Sequence, residues 1–179
     1  MYEGILIAGF GGQGVLSTGQ LLAYSGMVEG KHVAWIPSYG PEMRGGTANC
    51  GVTIADSPIS SPVVSEPTVL IAMNRPSLEK FEKVVIPGGI IFVNSSLINI
   101  KATRGDVRTF YVPANDMAEE IGSSKVANNI ILGALIELTR VVSTGAVEKS
   151  LYEVLPPHHH KMIPINVKAL EVGAGLVRA

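Results

Sequence analysis

The chain has 179 residues, of which 46% are hydrophobic and 16% are charged, with a formal net charge of −1. This size and composition allow a real hydrophobic core but leave no room for a second domain, so residues 1–179 are expected to form one domain. The charge is near zero and no basic stripe is interleaved with aromatic residues, which excludes a typical nucleic-acid-binding protein. No apolar run is long enough to cross a bilayer, so we expect no membrane contact and a cytoplasmic location.

Cysteine usage restricts the chemistry that the chain can perform by itself. Cys50 is the only cysteine, which excludes an internal disulfide, a four-cysteine iron–sulfur site and a zinc knuckle within this chain. The charged fraction is also lower than the roughly 25% that is usual for soluble domains. Part of the surface is therefore expected to be covered by partner chains, and the isolated chain is expected to form homo-oligomers.

The first sixteen residues predict a strand, a glycine loop and the start of a helix. Residues 4–8 are apolar, and Gly9, Gly11 and Gly14 then fit the pattern G-x-G-x-x-G. In such a turn the glycines let the backbone approach a ligand, and the unpaired N–H groups of the helix start attract a phosphate. Tight turns between a strand and a helix favour glycine without any ligand too, so a phosphate site and a structural turn both stay open.

The second predicted strand, residues 32–36, argues against an ordinary nicotinamide site. A dinucleotide-binding protein usually carries an Asp or Glu at the end of this strand, about 20 residues after the glycines, to hold the ribose hydroxyls. Here the strand ends in Pro37-Ser38-Tyr39, and no carboxylate stands there. We expect the strand itself to run parallel to the first one.

The next loop contains the strongest charged candidate. Arg44 lies between Pro41 and two glycines, and its planar guanidinium suits a phosphate or a carboxylate, although a local ion pair with Glu42 is the alternative. Only about a dozen residues separate strand 32–36 from the apolar run 48–54. A parallel crossover needs at least that many, usually with a helix, so run 48–54 is expected to enter the sheet antiparallel or at its edge.

The rest of the chain alternates strands and helices. The helix around residue 130 is apolar nearly all round, so it should be central to the fold or lie in an interface. The whole pattern predicts a three-layer α/β/α, Rossmann-like domain with a mostly parallel sheet and an antiparallel edge strand. The predicted strands cover residues 68–73, 90–94 and 107–112, and the predicted helices cover residues 14–28, 76–84, 113–121, 126–140, 147–155 and 164–177.

The remaining candidate residues do not form a catalytic site. Asn128 and Asn129 begin a helix and need hydrogen-bond partners. The run 158–160 is three histidines, but no carboxylate or cysteine completes a ligand set, so a solvated loop is favoured over a metal site. Cys50 has no adjacent histidine, which favours a buried, inert thiol. Residues 105–107 begin like a thiamine diphosphate motif, but Val107 replaces its third member. Because the sequence also shows no general acid–base pair, no nucleophilic triad and no cluster of metal ligands, it predicts no catalytic residue and no metal site.

Two motifs in order point to a family. The segments 9–15 (GFGGQGV) and 39–46 (YGPEMRGG) together resemble those of the gamma subunit of the 2-oxoacid:ferredoxin oxidoreductases. The similarity continues through residues 59–62, 125–128 and 166–170. The form of the second motif is more similar to the 2-oxoglutarate and 2-oxoisovalerate enzymes than to the pyruvate enzymes.

The resemblance implies a role within a larger complex. Such a complex decarboxylates a 2-oxoacid on thiamine diphosphate, passes electrons through iron–sulfur clusters to ferredoxin, and transfers the acyl group to coenzyme A. The resemblance places the thiamine and the clusters on partner subunits, and it implies that the gamma subunit, inactive alone, helps to bind coenzyme A. Gly11, Gly12, Gln13, Gly14 and Arg44 match the motif positions expected to contact coenzyme A or a partner subunit.

Two alternatives stay open at this point. A dinucleotide-binding oxidoreductase would retain a ribose-binding carboxylate after strand 32–36. A scaffold subunit without a ligand would have its glycine loop covered by protein.

Overall fold

The computed structural model describes residues 1–38 and 47–178. Its elements lie where the sequence predicts them, with ends that differ by a few residues. No helix in the described ranges is long and apolar enough to span a membrane. The strands are β1 (Tyr2–Phe10), β2 (His32–Ser38), β3 (Thr47–Ala55), β4 (Val69–Ala72), β5 (Ile90–Asn94) and β6 (Arg108–Val112), and the helices are α1 (Val15–Val28), α2 (Arg75–Phe81), α3 (Ala114–Glu120), α4 (Ala127–Thr139), α5 (Thr144–Val154) and α6 (Ile163–Gly175), with short 3-10 helices at Glu82–Val84, Ser124–Val126 and Pro157–Met162.

The six strands form one sheet in the order β2-β3-β1-β4-β5-β6. Strands β1, β4, β5 and β6 are parallel neighbours, whereas β3 pairs antiparallel with both β1 and β2. The antiparallel entry of run 48–54 is confirmed, and the antiparallel pairing lies at the β2 edge. Strand β2 points in the same direction as β1, as expected, but β3 separates the two. The short connection between β2 and β3 explains this order, because it allows an antiparallel return and not a helical crossover.

Apolar side chains cover both faces of the sheet, which confirms the three-layer fold. On one face, Ile5 and Ile7 of β1 belong to a large core shared with α1, α3, α4, α5 and α6. On the other face, Leu6 belongs to a smaller core with Leu78 of α2 and Ile98. Nine residues of α4 are buried, so the predicted burial of this helix is also confirmed.

Helices α4 and α6 cross with their backbones in contact. A Cβ added at Gly133 would lie 2.0 Å from the carbonyl oxygen of Leu170, and one added at Gly173 would lie 1.7 Å from that of Ile130. Only glycine permits such an approach, because any other residue would place a carbon inside the neighbouring backbone. The crossing brings the start of α4 close to α6, and this contact forms one side of the cleft described next.

Candidate functional site

The glycine loop, Gly9–Gly14, joins β1 to α1 at the carboxyl edge of the parallel strands. Gly12 and Gly14 have φ angles of +89° and +75°, and Gly14 is the residue that precedes the first turn of α1. A side chain is disfavoured at such angles, so the backbone itself requires glycine at these two positions. The loop leaves the N-terminal end of α1 facing a cleft, which is the geometry that attracts an anion.

The side chain of Gln13 holds this loop in shape. Its Oε1 accepts a hydrogen bond from the backbone N–H of Phe10 at 2.6 Å, and its Nε2 donates to the carbonyl oxygen of Met73 at 3.3 Å. Met73 follows β4, the strand next to β1. Both ends of the amide are thus committed to the protein, and Gln13 acts on the site by fixing the loop against the end of β4.

A cleft of about 340 Å³, here called the loop cleft, opens beside the glycine loop. Its walls combine carboxamides with leucine and valine side chains, and Lys125 is the one charged residue among its lining residues in the described chain. None of the described residues that line it is a carboxylate, a cysteine or a histidine, and its carboxamides and apolar side chains suit it to binding. The lining includes Gly12, Gln13, Gly14, Asn115, Asn128 and Asn166.

Asn128 connects α4 to the glycine loop. Its Nδ2 donates to the hydroxyl oxygen of Thr18 at 2.9 Å, and that hydroxyl donates to the carbonyl oxygen of Gly14 at 2.8 Å. A Cβ at Gly14 would lie 2.8 Å from the same Nδ2, so the absence of a side chain makes room for Asn128. The hydrogen-bond partner expected for the carboxamide of Asn128 is therefore Thr18 of α1.

Asn129 connects α4 to α6 in the same way. Its Nδ2 donates to Oδ1 of Asn166 at 2.5 Å, and Nδ2 of Asn166 donates to the carbonyl oxygen of Met162 at 2.6 Å. Together the two asparagines join the glycine loop, the start of α4 and the 3-10 helix Pro157–Met162. They fix the floor of the cleft in one arrangement.

Of the five predicted site residues, three line the loop cleft, a fourth lines a neighbouring cavity, and the fifth is not described. Gly12, Gln13 and Gly14 line the loop cleft. Gly11 lies on the other side of the loop, in a smaller cavity of about 260 Å³ that also contains Ala48 of β3. Arg44 lies outside the described residues.

The three histidines lie in the 3-10 helix Pro157–Met162 and do not gather metal ligands. The rings of His158 and His159 meet edge to face with centroids 4.2 Å apart, and Nε2 of His160 lies 2.9 Å from the carbonyl oxygen of Leu155. Within residues 1–38 and 47–178, no three His, Cys, Asp or Glu side chains are placed to hold a metal ion together. The run is largely exposed, which agrees with the solvated segment predicted for it.

Cys50 is fully buried on β3, as predicted for an inert thiol. Burial raises the pKa of this thiol to about 11. The reactive thiolate is therefore a minor form at neutral pH, and a nucleophilic role is excluded by access as well as by ionisation.

Sequence reasoning missed several residues of the cleft. Lys125, Asn115, Leu155 and Asn166 all line it, although none belongs to the glycine motif. Asn166 lies in a segment that the family resemblance already included, but its position carries no chemical signal by itself. For Asn128 and Asn129, the sequence predicts only that their carboxamides need hydrogen-bond partners.

A comparison with protein families identifies the family of the chain. The family described as "Pyruvate ferredoxin/flavodoxin oxidoreductase" matches residues 4–176. The chain is 42% identical over 177 residues to the "Ketoisovalerate oxidoreductase subunit VorA" of Methanothermobacter thermautotrophicus, a match that covers 97% of this chain and 36% of that protein. It thus spans about a third of the length of this relative. It is also 35% identical to the "2-oxoglutarate synthase subunit KorC" of Methanocaldococcus jannaschii, over 87% of this chain and 85% of that protein.

Solved structures agree with this family match. The gamma subunit of a keto/oxoacid ferredoxin oxidoreductase from Geobacter sulfurreducens matches with a TM-score of 0.85 and 30% identity, over 98% of this chain and 95% of that one. A 2-oxoglutarate:ferredoxin oxidoreductase from Magnetococcus marinus, solved with 2-oxoglutarate, coenzyme A and succinyl-CoA, has a TM-score of 0.87 at 22% identity. That match covers 98% of this chain and 31% of the other, and at this identity it shows the common fold. The chain therefore belongs to the pyruvate ferredoxin/flavodoxin oxidoreductase family, in which it corresponds over nearly all of its length to a gamma subunit.

Proposed function

We propose that this chain is the gamma subunit, or the single gamma-type domain, of a 2-oxoacid:ferredoxin oxidoreductase, and that its loop cleft binds coenzyme A. The observation that carries the proposal is an open cleft at the glycine loop in a chain that matches this family over residues 4–176. The complex converts a 2-oxoacid and coenzyme A into acyl-CoA and CO₂, and ferredoxin accepts the electrons.

The chemistry of the reaction belongs to partner chains. Iron–sulfur clusters need several cysteine ligands, whereas this chain has one cysteine, which is buried among apolar side chains. The loop cleft is lined by amides and apolar groups and contributes binding. The gamma chain therefore presents coenzyme A to an acyl group that is generated on another subunit.

The glycine loop and Arg44 are the proposed contacts to the phosphates of coenzyme A. The start of α1, whose unpaired N–H groups favour an anion, borders the smaller cavity through Val15 and Leu16 and both cavities through Ser17. The strand that follows Arg44 begins at Thr47, which pairs in register with Phe10 at the start of the glycine loop. The Magnetococcus marinus relative was solved with coenzyme A bound, which supports this ligand class for the fold.

The two alternatives are less compatible with the fold. A dinucleotide-binding site uses the carboxyl end of a parallel strand next to β1 to hold the ribose. Here the neighbour of β1 on that side is the antiparallel β3, and β2 lies one strand further away. A scaffold without a ligand would have its glycine loop covered by protein, and within the described chain the loop borders an open cleft of about 340 Å³.

The names of the relatives indicate two substrate candidates. The VorA relative is a ketoisovalerate oxidoreductase subunit and the KorC relative is a 2-oxoglutarate synthase subunit. We propose a branched-chain 2-oxoacid or 2-oxoglutarate as the substrate of the complex, in agreement with the form of the second motif.

Purification of the tagged chain from its native host tests the proposal. We expect larger chains that contain thiamine diphosphate and iron to co-purify, and the complex to reduce ferredoxin only when both a 2-oxoacid and coenzyme A are present. The chain produced alone should show no such activity. Recovery of the chain by itself with a bound dinucleotide would support the alternative oxidoreductase instead.

The isolated chain is also proposed to self-associate. Three apolar side chains of α1, those of Tyr24, Met27 and Val28, are exposed by 38%, 61% and 44%. Partner chains cover this surface in the proposed complex, and a second copy can cover it in their absence. Light scattering on the purified chain checks this, and a stable monomer at high concentration would contradict it.

A further inference from the structure

The two edge strands of the sheet differ in how well they are protected against pairing with another chain. Strand β6 is five residues long, begins at Arg108, and has the amine of Lys101 over the ring of Tyr111 at 5.5 Å. Strand β2 is seven residues long, contains no Asp, Glu, Lys or Arg, and pairs in the described part of the chain only with β3. Edge strands are usually short or charged, because their free N–H and C=O groups are a template for another strand. Strand β2 has neither of these protections.

Pro37, near the end of β2, indicates which backbone groups of this strand face outward. Proline has no N–H to give to a ladder, so in an edge strand its nitrogen faces away from the neighbouring strand. Backbone groups alternate in direction along a strand, so the N–H groups of Val33 and Trp35 also face away from β3. No turn or loop carbonyl of the described chain accepts a hydrogen bond from either N–H. The outer edge of β2 therefore offers two donors to another strand.

The surface around this edge is uncharged. Residues 4–28, 32–38 and 47–55 contain no Asp, Glu, Lys or Arg, although the chain has 15 acidic and 14 basic residues. Between α1 and β2, Glu29 and Lys31 neutralise each other in an ion pair of 2.9 Å. Charged side chains resume on α5, which packs against α1. An uncharged centre with a charged rim is typical of a protein interface.

Helix α1 lies directly on β2 and extends this uncharged surface. A Cβ added at Gly26 would lie 2.8 Å from Cγ2 of Val33, and the next residue of the helix, Met27, is exposed. Ile36 is also exposed. Because side chains alternate along a strand and Val33 faces α1, Ile36 lies on the opposite face of the sheet. A strand added along β2 would thus have apolar side chains beside it on both faces.

We propose that β2 is the self-association edge of this chain: the β2 strands of two copies pair antiparallel across a two-fold axis and join the two sheets into one. The inference deepens the self-association proposed above for the isolated chain, on which it rests, by naming the strand that mediates it. Identical surfaces must match themselves across a two-fold axis, and an uncharged surface does so without like-charge repulsion. An antiparallel pair of identical strands also gives the free donors of both copies acceptors at the same time. Both properties favour a second copy as the occupant of this edge.

Hydrogen exchange, resolved by residue with NMR, tests the strand pairing in the full chain. The N–H groups of Val33 and Trp35 should exchange rapidly in dilute, monomeric samples. At concentrations where light scattering shows a dimer, their exchange should slow by about tenfold or more, because each then donates to the second copy. The amides of β6, the other edge, are the control and should exchange at the same rate in both samples.

Charge variants at Ile36 test the two-fold symmetry. Ile36→Lys and Ile36→Glu each place like charges on both copies at the edge, so each should weaken the dimer by about tenfold or more. An equimolar mixture of the two variants should recover the dimer, since opposite charges then meet, and a misfolded variant could not recover in this way. Leu97→Lys is the matched control, because Leu97 is an exposed apolar residue in the loop after β5, four strands away from β2 in the sheet. It should dimerise like the wild-type chain.

The outcomes separate this inference from the self-association on which it rests. If the chain dimerises while the amides of Val33 and Trp35 stay unprotected, or if the Ile36 variants dimerise like the wild-type chain, another surface mediates the dimer and only the self-association stands. If both variants weaken the dimer and their mixture does not restore it, the antiparallel two-fold arrangement is wrong. A stable monomer at high concentration contradicts both the inference and the self-association.

Discussion

Replacing Gly12 by alanine tests directly whether the glycine loop touches a ligand. The residue has a φ angle of +89°, and no atom of the described chain lies within 4 Å of the position that its Cβ would take. The added methyl group therefore meets the open cleft and not the protein. The left-handed backbone costs about 1–2 kcal/mol of stability for a residue with a side chain.

Gly30→Ala is the control for this backbone cost. Gly30 has a φ angle of +72° and also has no described atom within 4 Å of its Cβ position. It follows the C-terminal end of α1, at the opposite end of the helix from the loop cleft. Both substitutions should thus lower the free energy of unfolding by a similar amount, and only Gly12→Ala adds a group to the proposed site.

The apparent KM for coenzyme A in the assembled complex is the measurement. A methyl group that displaces one charge-assisted hydrogen bond to a phosphate costs about 1.5–3 kcal/mol, so KM should rise by about tenfold or more in Gly12→Ala. It should stay at the wild-type value in Gly30→Ala. If urea unfolding shows equal loss of stability in both variants and KM is unchanged in both, the loop is only a structural turn.

Three further predictions concern other parts of the chain. Arg44→Ala in the complex should raise the KM for coenzyme A by about tenfold and leave formation of the thiamine-bound intermediate intact. Single-turnover kinetics without coenzyme A measures formation of the intermediate, and an unchanged KM would show that Arg44 does not contact coenzyme A. Gly173→Ala should lower the free energy of unfolding in urea by about 3 kcal/mol or more, because its Cβ would lie 1.7 Å from the carbonyl oxygen of Ile130. Gly145→Ala is the control, because Gly145 has open space around its Cβ position in α5, and it should be neutral or stabilising by roughly 0.5 kcal/mol. Equal effects of these two glycine substitutions would show that the α4–α6 crossing relaxes freely. Cys50, fully buried and with its pKa raised by burial to about 11, should resist iodoacetamide at pH 7 in the folded chain and react after unfolding, and rapid labelling of the native chain would contradict its assignment as inert.

The sequence alone determined the parts of this protein that depend on neighbouring residues. The strand–loop–helix unit of β1 and α1 is encoded by an apolar run, glycines at fixed spacing and helical periodicity, all within 28 residues. The burial of α4 follows from its apolar surface on all sides. The antiparallel entry of β3 follows from the shortness of its connection to β2, and the single cysteine by itself excludes an internal disulfide.

The tertiary structure alone decided where β3 lies and what lines the cleft. The sequence allowed β3 at the edge or within the sheet, and the register Phe10 to Thr47 places it directly beside β1. The bond from Asn128 to Thr18 joins residues 110 positions apart, and no local pattern predicts such a contact. It depends on how α4 packs, which the close approach of Gly133 to the backbone of α6 controls. Local patterns specify each element because propensity acts over a few residues, whereas a cleft between elements forms only when distant helices reach their packing distance.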